Sequence, residues 1–535
     1  MVSQSPAVCV AGVEAGGGCG TMGADRTGGG PVLYAHTVDV VREAEGALMA
    51  RLPEGVLMRR AATGLAVECV RLLPAVYGSR IVLMVGSGDN GGDALYAGAD
   101  LARRGAAVRA LTAGANVHQG GAEALRAAGG RVRPFAGSDA DDADLFGADL
   151  IVDGLVGIGG RGGLREPHAG LAAQAANAPA PVVAVDLPSG VDADTGEVSG
   201  YAVRADVTVT FGTHKPGLFV DPGADRAGVV RLVDIGLGPE LPGASALRPQ
   251  AVEVAGLLPT PGTEADKYRR GVLAVRAGSD RFRGAAVLTV GGALRTGVGM
   301  VRYGGPERVV DQVLARWPET VAAVLDPRES TDLEPGRVAA VVVGPGRGTD
   351  PGDADELDAV LDSDVPVLVD ADGLTLMSGE AGRALADRVR ERSAPTLLTP
   401  HAGELARLMG DVTREDVEAG RLEHAGRAAR SFGCAVLLKG STTVIAHPDG
   451  PSVVNPTGTP LLASAGTGDV LSGAVGALLA SGVPVVEAAL CGAYLHGRAA
   501  ELAHGGAPVS ASDLLDGLPF ALGEVHEEGA SFGSV

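Results

Sequence analysis

An apolar run, Ile81-Val82-Leu83-Met84-Val85, passes directly into GSGDNGGDALYAGADLARRG, and this passage sharply limits the folds open to the chain. The run has the length of a buried strand, the glycines permit a tight turn, and the apolar residues beyond repeat at helical spacing. Strand, glycine-rich turn and helix in that order open a nucleotide-binding α/β unit. Gly86, Gly88 and Gly91 match GxGxxG in part, which alone is a weak signal. The loop also carries Asp89, Asn90 and Asp93, and a turn serving only pyrophosphate has no need of two carboxylates. Upstream, apolar spacing predicts helix over residues 38–70.

The pattern recurs. Strands are predicted at 108–111, 150–152, 182–185 and 207–211, each followed by a polar or glycine-rich segment, so a parallel sheet is expected. Ligands of such sheets sit beyond the carboxyl ends of the strands. Those ends carry Asn90 and Asp93, then Asp153 with the loop 157–163, then Asp186 and Ser189, and finally Thr213-His214-Lys215. A lone aspartate at a strand end is more often a turn former. Oxygen-bearing groups on four converging loops suit a hard cation instead.

Strands at 272–275, 338–343, 367–369, 396–398 and 435–438 predict a second layered α/β domain. Between the two, residues 241–261 are rich in Pro, Gly and Ala. The expected organisation is a loose tail over 1–30, a first domain over 31–245, a linker over 246–262, a second domain over 263–525 and a tail over 526–535. Near the far end, NPTGTPLLASAGTGDVLSG sets glycines before Asp469 and an apolar helical pattern over 470–480. A helix N-terminus offers unpaired N–H groups and partial positive charge, a setting for phosphate. Asp469 reads either as a catalytic base or as a capping aspartate. No GxxxxGK[ST] is present, which excludes a P-loop nucleotidase.

Composition narrows the partners. A net charge of −21 argues against nonspecific binding to DNA, RNA or anionic membrane. The five cysteines are odd in number and lack CxxC spacing, so neither a disulfide framework nor a zinc site is expected, and a reduced cytoplasmic setting fits. No unbroken apolar stretch reaches the ~20 residues that span a bilayer. Basic charge is carried almost wholly by arginine; the three lysines are Lys215, Lys267 and Lys439, each inside a motif.

GSGDNGGDAL, DGLVGIGGRG, VAVDLPSGVDADTG and TFGTHKPGL, in this order, resemble the NAD(P)H-hydrate epimerase family, whose fold is a Rossmann-like α/β/α sandwich. The resemblance implies a potassium ion bound by Asn90, Asp153 and Ser189. It implies a dinucleotide hydrate held by Asp89, Asn90, Gly91, Gly92 and Asp93, and by Gly157, Ile158, Gly159, Gly160, Arg161, Gly162 and Gly163. Asp186 would then meet the hydrated nicotinamide ring, with Lys215 aiding acid–base catalysis. Two positions depart from the family's pattern: Asp89 stands where Asn is common, and Arg59 where an acidic residue is common.

The terminal GTGD resembles the ribokinase-like superfamily, also α/β/α. Taken with TPHAGEL, KGSTT and NPTGTP, it is similar to the ADP/ATP-dependent NAD(P)H-hydrate dehydratases. That implies ADP, with Mg2+, on Lys439, Gly440, Ser441, Thr442, Thr443 and Gly468. It also implies that Ala285, Gly346, His401 and Asp469 face the hydrate, Asp469 being the base. Asp370 and Asp372 of VDADGL read equally as turn residues or as outer partners of magnesium. The joined resemblances imply a cytoplasmic homo-oligomer that epimerises the R and S hydrates of NADH and NADPH and dehydrates the S form using ADP. Two other readings stay open: an ATP-dependent kinase of a small alcohol or vitamin precursor, and a nucleotide-sensing module with an inactive first domain.

Overall fold

The computed structural model describes residues 32–114, 116–260, 262–325, 337–503 and 506–532. The expected N-terminal tail, with Cys9 and Cys19, lies outside them. The chain folds as two compact units, Tyr34–Ala246 and Leu247–Val535.

In the first unit, seven strands form one parallel sheet: β1 (Arg80–Val85), β2 (Ala107–Thr112), β3 (Arg131–Pro134), β4 (Leu150–Gly154), β5 (Val182–Val185), β6 (Val207–Phe211) and β7 (Val229–Val233). Their order is β3-β2-β1-β4-β5-β6-β7. The chain reverses direction of winding between β1 and β4, and the loops after those two strands flank the resulting crevice. Side chains alternate across β1: Ile81, Leu83 and Val85 join one apolar cluster, Val82 and Met84 another. Both faces of the sheet are thus buried, which is why β1 reads as a continuous apolar run.

The helix predicted over 38–70 is two helices, Val38–Met49 and Val56–Leu72. Pro53 and a left-handed Gly55 (φ 75°) separate them, a break that apolar spacing alone does not report.

In the second unit the strands are β8 (Val272–Arg276), β9 (Met300–Gly305), β10 (Val321–Val324), β11 (Ala340–Val343), β12 (Val367–Val369), β13 (Thr396–Leu398), β14 (Ala435–Leu438), β15 (Val444–Ala446) and β16 (Ser452–Val454). They run β16-β15-β14-β13-β12-β11-β8-β9-β10, parallel except for the antiparallel pairs β14–β15 and β15–β16. Here winding reverses between β11 and β8. The stretch expected as linker holds a strand, Ala246–Arg248, and a helix, Ala251–Leu257, with Val254 fully buried. Val254 docks this short helix with Ala251, Ala255 and Leu257 packed part-buried on the same core, and seven residues are too few to display a period. The expected C-terminal tail begins inside the helix Ala511–Phe532. No helix among the described residues is long and apolar enough to cross a membrane.

The helix Thr467–Ala480 lies against Arg283–Thr296 with backbone touching backbone. A Cβ at Gly473 would overlap the Thr289 carbonyl, and one at Gly292 would overlap that of Val470. Neither neighbour is a flexible side chain, so nothing can swing aside. Gly473→Ala is expected to cost about 1–3 kcal/mol through forced backbone displacement, seen as a lowered unfolding midpoint of the second unit in denaturant.

Candidate active sites

The first site forms where β1, β4, β5 and β6 end. β1 delivers the loop whose residues Asp89 to Asp93 start the helix Asp89–Arg103. Ser189 folds back on the end of β4: its Oγ donates to Asp153 Oδ1 at 2.7 Å, and its N–H to Oδ2 at 2.8 Å. Asp153 is fully buried, and burial pushes its carboxyl up to about 6 although the Ser189 bonds oppose this. The same hydroxyl also meets Val156, accepting from its N–H at 2.9 Å. Asn90 lies on the other side of this turn, where a Cβ at Gly157 would come within 2.8 Å of Asn90 Oδ1. Asn90 Nδ2 has no hydrogen-bond partner among the described residues. Asn90, Asp153 and Ser189 are therefore brought together around residues 153–157.

The loop 157–163 divides. Gly157 meets Asn90, whereas Gly163 packs on Gly200, and Arg161 exerts its charge on Asp194. Only the near half of the loop is tied to the crevice by these contacts.

Asp186 occupies the left-handed region at φ 67°, a strained setting that Asp tolerates better than most residues. Its Oδ1 accepts from Lys215 Nζ at 2.5 Å and from Thr210 Oγ1 at 3.0 Å. The lysine is 1% exposed and also donates to Thr210 Oγ1 and the Phe211 carbonyl, each at 3.0 Å. A buried ammonium with three acceptors is a satisfied charge. Beside this pair, burial and the carboxylates of Asp186, Asp89 and Glu45 hold the Asp93 carboxyl well above the usual range. Asp93 Oδ1 is buried with no partner among the described residues. Glu45, on Val38–Met49, is likewise raised, first by burial. Sequence reasoning missed Glu45; in REAEG it looks like any glutamate on a solvated helix face.

In the second unit, β12, β13 and β14 end side by side. Asp370 closes β12, His401 follows β13, and Lys439 follows β14; His401 and Lys439 share a parallel backbone bridge. Lys439 Nζ donates to Asp370 Oδ1 at 2.6 Å, and Ser472 Oγ to Asp370 Oδ2 at 2.7 Å. Burial alone would lower the lysine's pKa, but the carboxylates of Asp370 and Glu404 outweigh it and hold the ammonium charged. Lys439 Nζ lies 3.5 Å from where a Cβ at Gly468 would stand. Its charge thus sits beside the first turn of Thr467–Ala480. That helix starts three residues earlier than its apolar pattern, because Gly466 (φ 87°) makes the turn. Burial, then the nearby Asp370 carboxylate, push Asp469 on this turn up to about 7, with Lys439 opposing.

His401 caps its own helix: Nδ1 accepts from Gly403 N–H at 3.0 Å and Glu404 N–H at 3.2 Å. Burial holds its imidazole below the ordinary value, with Glu404 opposing. Asp372 Oδ2 accepts from Gly348 N–H at 3.0 Å. Ala285 and Gly346 adjoin, since a Cβ at Gly346 would be 2.8 Å from Ala285 Cβ. One turn further along the same helix, Leu288 packs on Gly466, which links this pair to the Asp469 turn. In KGSTT, a Cβ at Gly440 would collide with the Arg421 guanidinium; Ser441 is exposed and Thr442 buried. Sequence reasoning did not single out Arg421, Ser472 or His496. The last two lie on apolar helices where one polar residue looks incidental.

Comparison with known proteins decides the family. A profile described as NAD(P)H-hydrate dehydratase matches residues 273–518, and one described as YjeF-related protein N-terminus matches 54–217. A Mycobacterium leprae protein named bifunctional NAD(P)H-hydrate repair enzyme Nnr is 47% identical over 499 residues, covering 91% of this chain and 99% of the relative. The chain belongs to the bifunctional NAD(P)H-hydrate repair enzymes. A Moorella thermoacetica protein of the same name is 36% identical, covering 89% of this chain and 94% of its own. A solved ADP/ATP-dependent NAD(P)H-hydrate dehydratase from Bacillus subtilis, co-crystallised with ATP and Mg2+, is 33% identical with a TM-score of 0.47; the match covers 52% of this chain and 97% of that one.

Lys215 supports a prediction in the first unit. Lys215→Met removes the cation from a buried carboxylate and the donor to Thr210 Oγ1, while the Phe211 carbonyl keeps the Thr213 N–H. It is expected to destabilise that unit by about 3–5 kcal/mol, measured by denaturant titration.

Proposed function

We propose that this chain repairs hydrated NADH and NADPH, its first unit epimerising the R and S hydrates and its second dehydrating the S form with ADP. The observation that carries the reading is the Asp469 carboxylate, held near neutrality on a helix N-terminus beside Lys439, in a chain that aligns with repair enzymes over nine-tenths of its length.

Direct loss of water from the hydrate is slow because hydroxide is a poor leaving group. In the second unit Asp469 takes the proton of the ring hydroxyl, whose oxygen attacks the terminal phosphoryl of ADP, releasing AMP. The Gly468 N–H, the helix N-terminus and the Lys439 ammonium face the charge that develops there. The ring nitrogen's lone pair then expels phosphate, and loss of a ring proton restores the dihydropyridine. Bound Mg2+ would supply charge neutralisation at the transferring phosphates. Asp372, at the edge of the site with one oxygen on Gly348 N–H, fits a magnesium ion carried mostly by those phosphates. Lys439, Gly440, Ser441, Thr442 and Thr443 would line the nucleotide; Ala285, Gly346 and His401 would face the hydrate.

The hydrate is a hemiaminal, so inverting its hydroxyl-bearing carbon needs C–O cleavage to an iminium, or ring opening, with proton transfer. Asp186, fixed by Lys215, supplies acid–base catalysis, and Asp89 to Asp93 with 157–163 hold the dinucleotide. Potassium fits Asn90, Asp153 and Ser189. The ligating atoms would all be oxygens, and the buried Asp153 carboxylate has no cationic side chain beside it among the described residues. Its role would be to hold those three loops in register. The same proposal has the chain act as a cytoplasmic homo-oligomer, a size that light scattering reads directly.

The test supplies each purified hydrate epimer with ADP or ATP and Mg2+ and follows the return of dihydronicotinamide absorbance. Recovery of neither epimer sinks the proposal; a stable phosphorylated product points to a kinase. Asp469→Asn is expected to cut dehydration by about 10²–10⁴-fold while epimerisation continues.

The pH response follows from Asp469. Its folded pKa of about 7 exceeds the ordinary 3.8, so folding takes up a proton between those values. The group's contribution to stability therefore declines as pH rises from 3.8 through about 7, while the base form appears over the upper part of that window. Dehydration kcat/KM is expected to rise with pH through a midpoint near 7, and a flat profile from about pH 5.5 to about 8.5 would count against Asp469 as the base.

A further inference from the structure

One helix, Val485–Leu502, stands behind both loops that border the Asp469 turn. The NPTGTP loop is tied to it at several points. Asn455 Nδ2 donates to the Ala493 carbonyl at 3.3 Å, Thr457 Oγ1 to that of Tyr494 at 2.9 Å, and Gly458 N–H to Glu501 Oε1 at 2.8 Å. Gly497 has no room for a side chain, because its Cβ would stand 2.5 Å from Thr457 Oγ1. Between these anchors His496 faces the other loop, and its Nε2 lies 2.9 Å from the carbonyl of Thr467.

That contact has a defined chemistry. A carbonyl only accepts, so Nε2 carries the hydrogen and donates. Helical geometry already offers the Thr467 carbonyl the N–H four residues on, so the imidazole engages its second lone pair. The Thr467 hydroxyl is bonded to the carbonyls of Leu462 at 2.9 Å and Ser464 at 3.0 Å. Both ends of residue 467 are therefore held, the hydroxyl by its own loop and the carbonyl by a separate helix. The peptide that follows carries Gly468 N–H, and the next residue is Asp469.

We propose that His496 is a positioning residue for phosphoryl transfer: its bond to the Thr467 carbonyl fixes the peptide that aims Gly468 N–H and the Asp469 carboxylate. This deepens the repair reading and rests on it. The histidine is buried behind the turn, 7% exposed, and acts through the backbone. Lys439, on the facing strand end, already presents its ammonium to the same turn, so a neutral donor is the suitable partner there.

The test uses the full chain with His496→Leu, His496→Gln and His496→Asn. Glutamine places an amide N–H where Nε2 stood; asparagine stops one atom short, near Nδ1. His496→Leu is expected to lower dehydration kcat by about 100-fold, the order of loss that a ~1 Å misplacement produces, with KM for the hydrate changed less than about threefold. His496→Gln is expected to recover most of that loss, His496→Asn little of it, and epimerisation is expected to be unchanged in all three. Wild-type kcat in His496→Leu, or equal kcat in the Gln and Asn variants, overturns the proposal; the second comparison stands even if the Leu variant does not fold. Should the wild-type chain itself fail to dehydrate, the functional reading falls instead. The positioning is then read from amide hydrogen exchange over residues 466–469, which must quicken in His496→Asn relative to wild type and does not if the inference is wrong.

Discussion

One buried and one part-buried ammonium group fix the geometry of the two sites. Lys215 and Lys439 each reach an aspartate at the end of a strand, Asp186 and Asp370 respectively, within 2.6 Å. A charge removed from water is tolerable only when its partner and remaining donors are placed well, so these pairs dictate the local backbone. At Asp186 the demand is met by a left-handed backbone, at Lys439 by a strand end that brings His401 alongside. The carboxylates left over are the chemically interesting ones. Asp93 and Asp469 lie within range of these pairs, have no hydrogen-bonded cation of their own among the described residues, and stay protonated to unusually high pH.

Both units place their chemistry by the same topological device. Winding of the sheet reverses between β1 and β4 in the first and between β8 and β11 in the second, and the loops at those reversals diverge to leave a crevice. The first crevice receives Asn90 and Gly157, the second Ala285 and Gly346. The two units differ in what borders the crevice. The first uses a helix that begins at Asp89, whereas the second adds a helix from late in the chain, Thr467–Ala480, and so joins residues far apart in sequence.

Much of this is legible in the amino-acid sequence. Strands buried on both faces, such as β1, β4 and β11, read as unbroken apolar runs. Edge or weakly apolar strands escape notice: β3, whose RVRP alternates arginine with a half-buried valine, and β10, whose Val321 and Val324 are exposed. The site residues carried by glycine-rich loops are legible because such loops are short and ordered along the chain. Glu45, Ser472, His496 and Arg421 are not, since each acts at a distance in sequence from the group it meets. The helix Ala251–Leu257 hides in a Pro/Gly/Ala-rich stretch for a different reason: the burial that holds it is tertiary, and composition reports only the absence of period.

The glycine-to-carbonyl contact between Arg283–Thr296 and Thr467–Ala480 has a consequence for how ligands come and go. Helices meeting through side chains can slide by exchanging rotamers; helices meeting through backbone cannot. Ala285 and Gly468, one on each of these helices, are therefore parts of one wall whose two helices have no side-chain layer between them at the contact to slide on. Binding against such a wall costs little reorganisation. Whatever opening the second site needs falls to the loops around it.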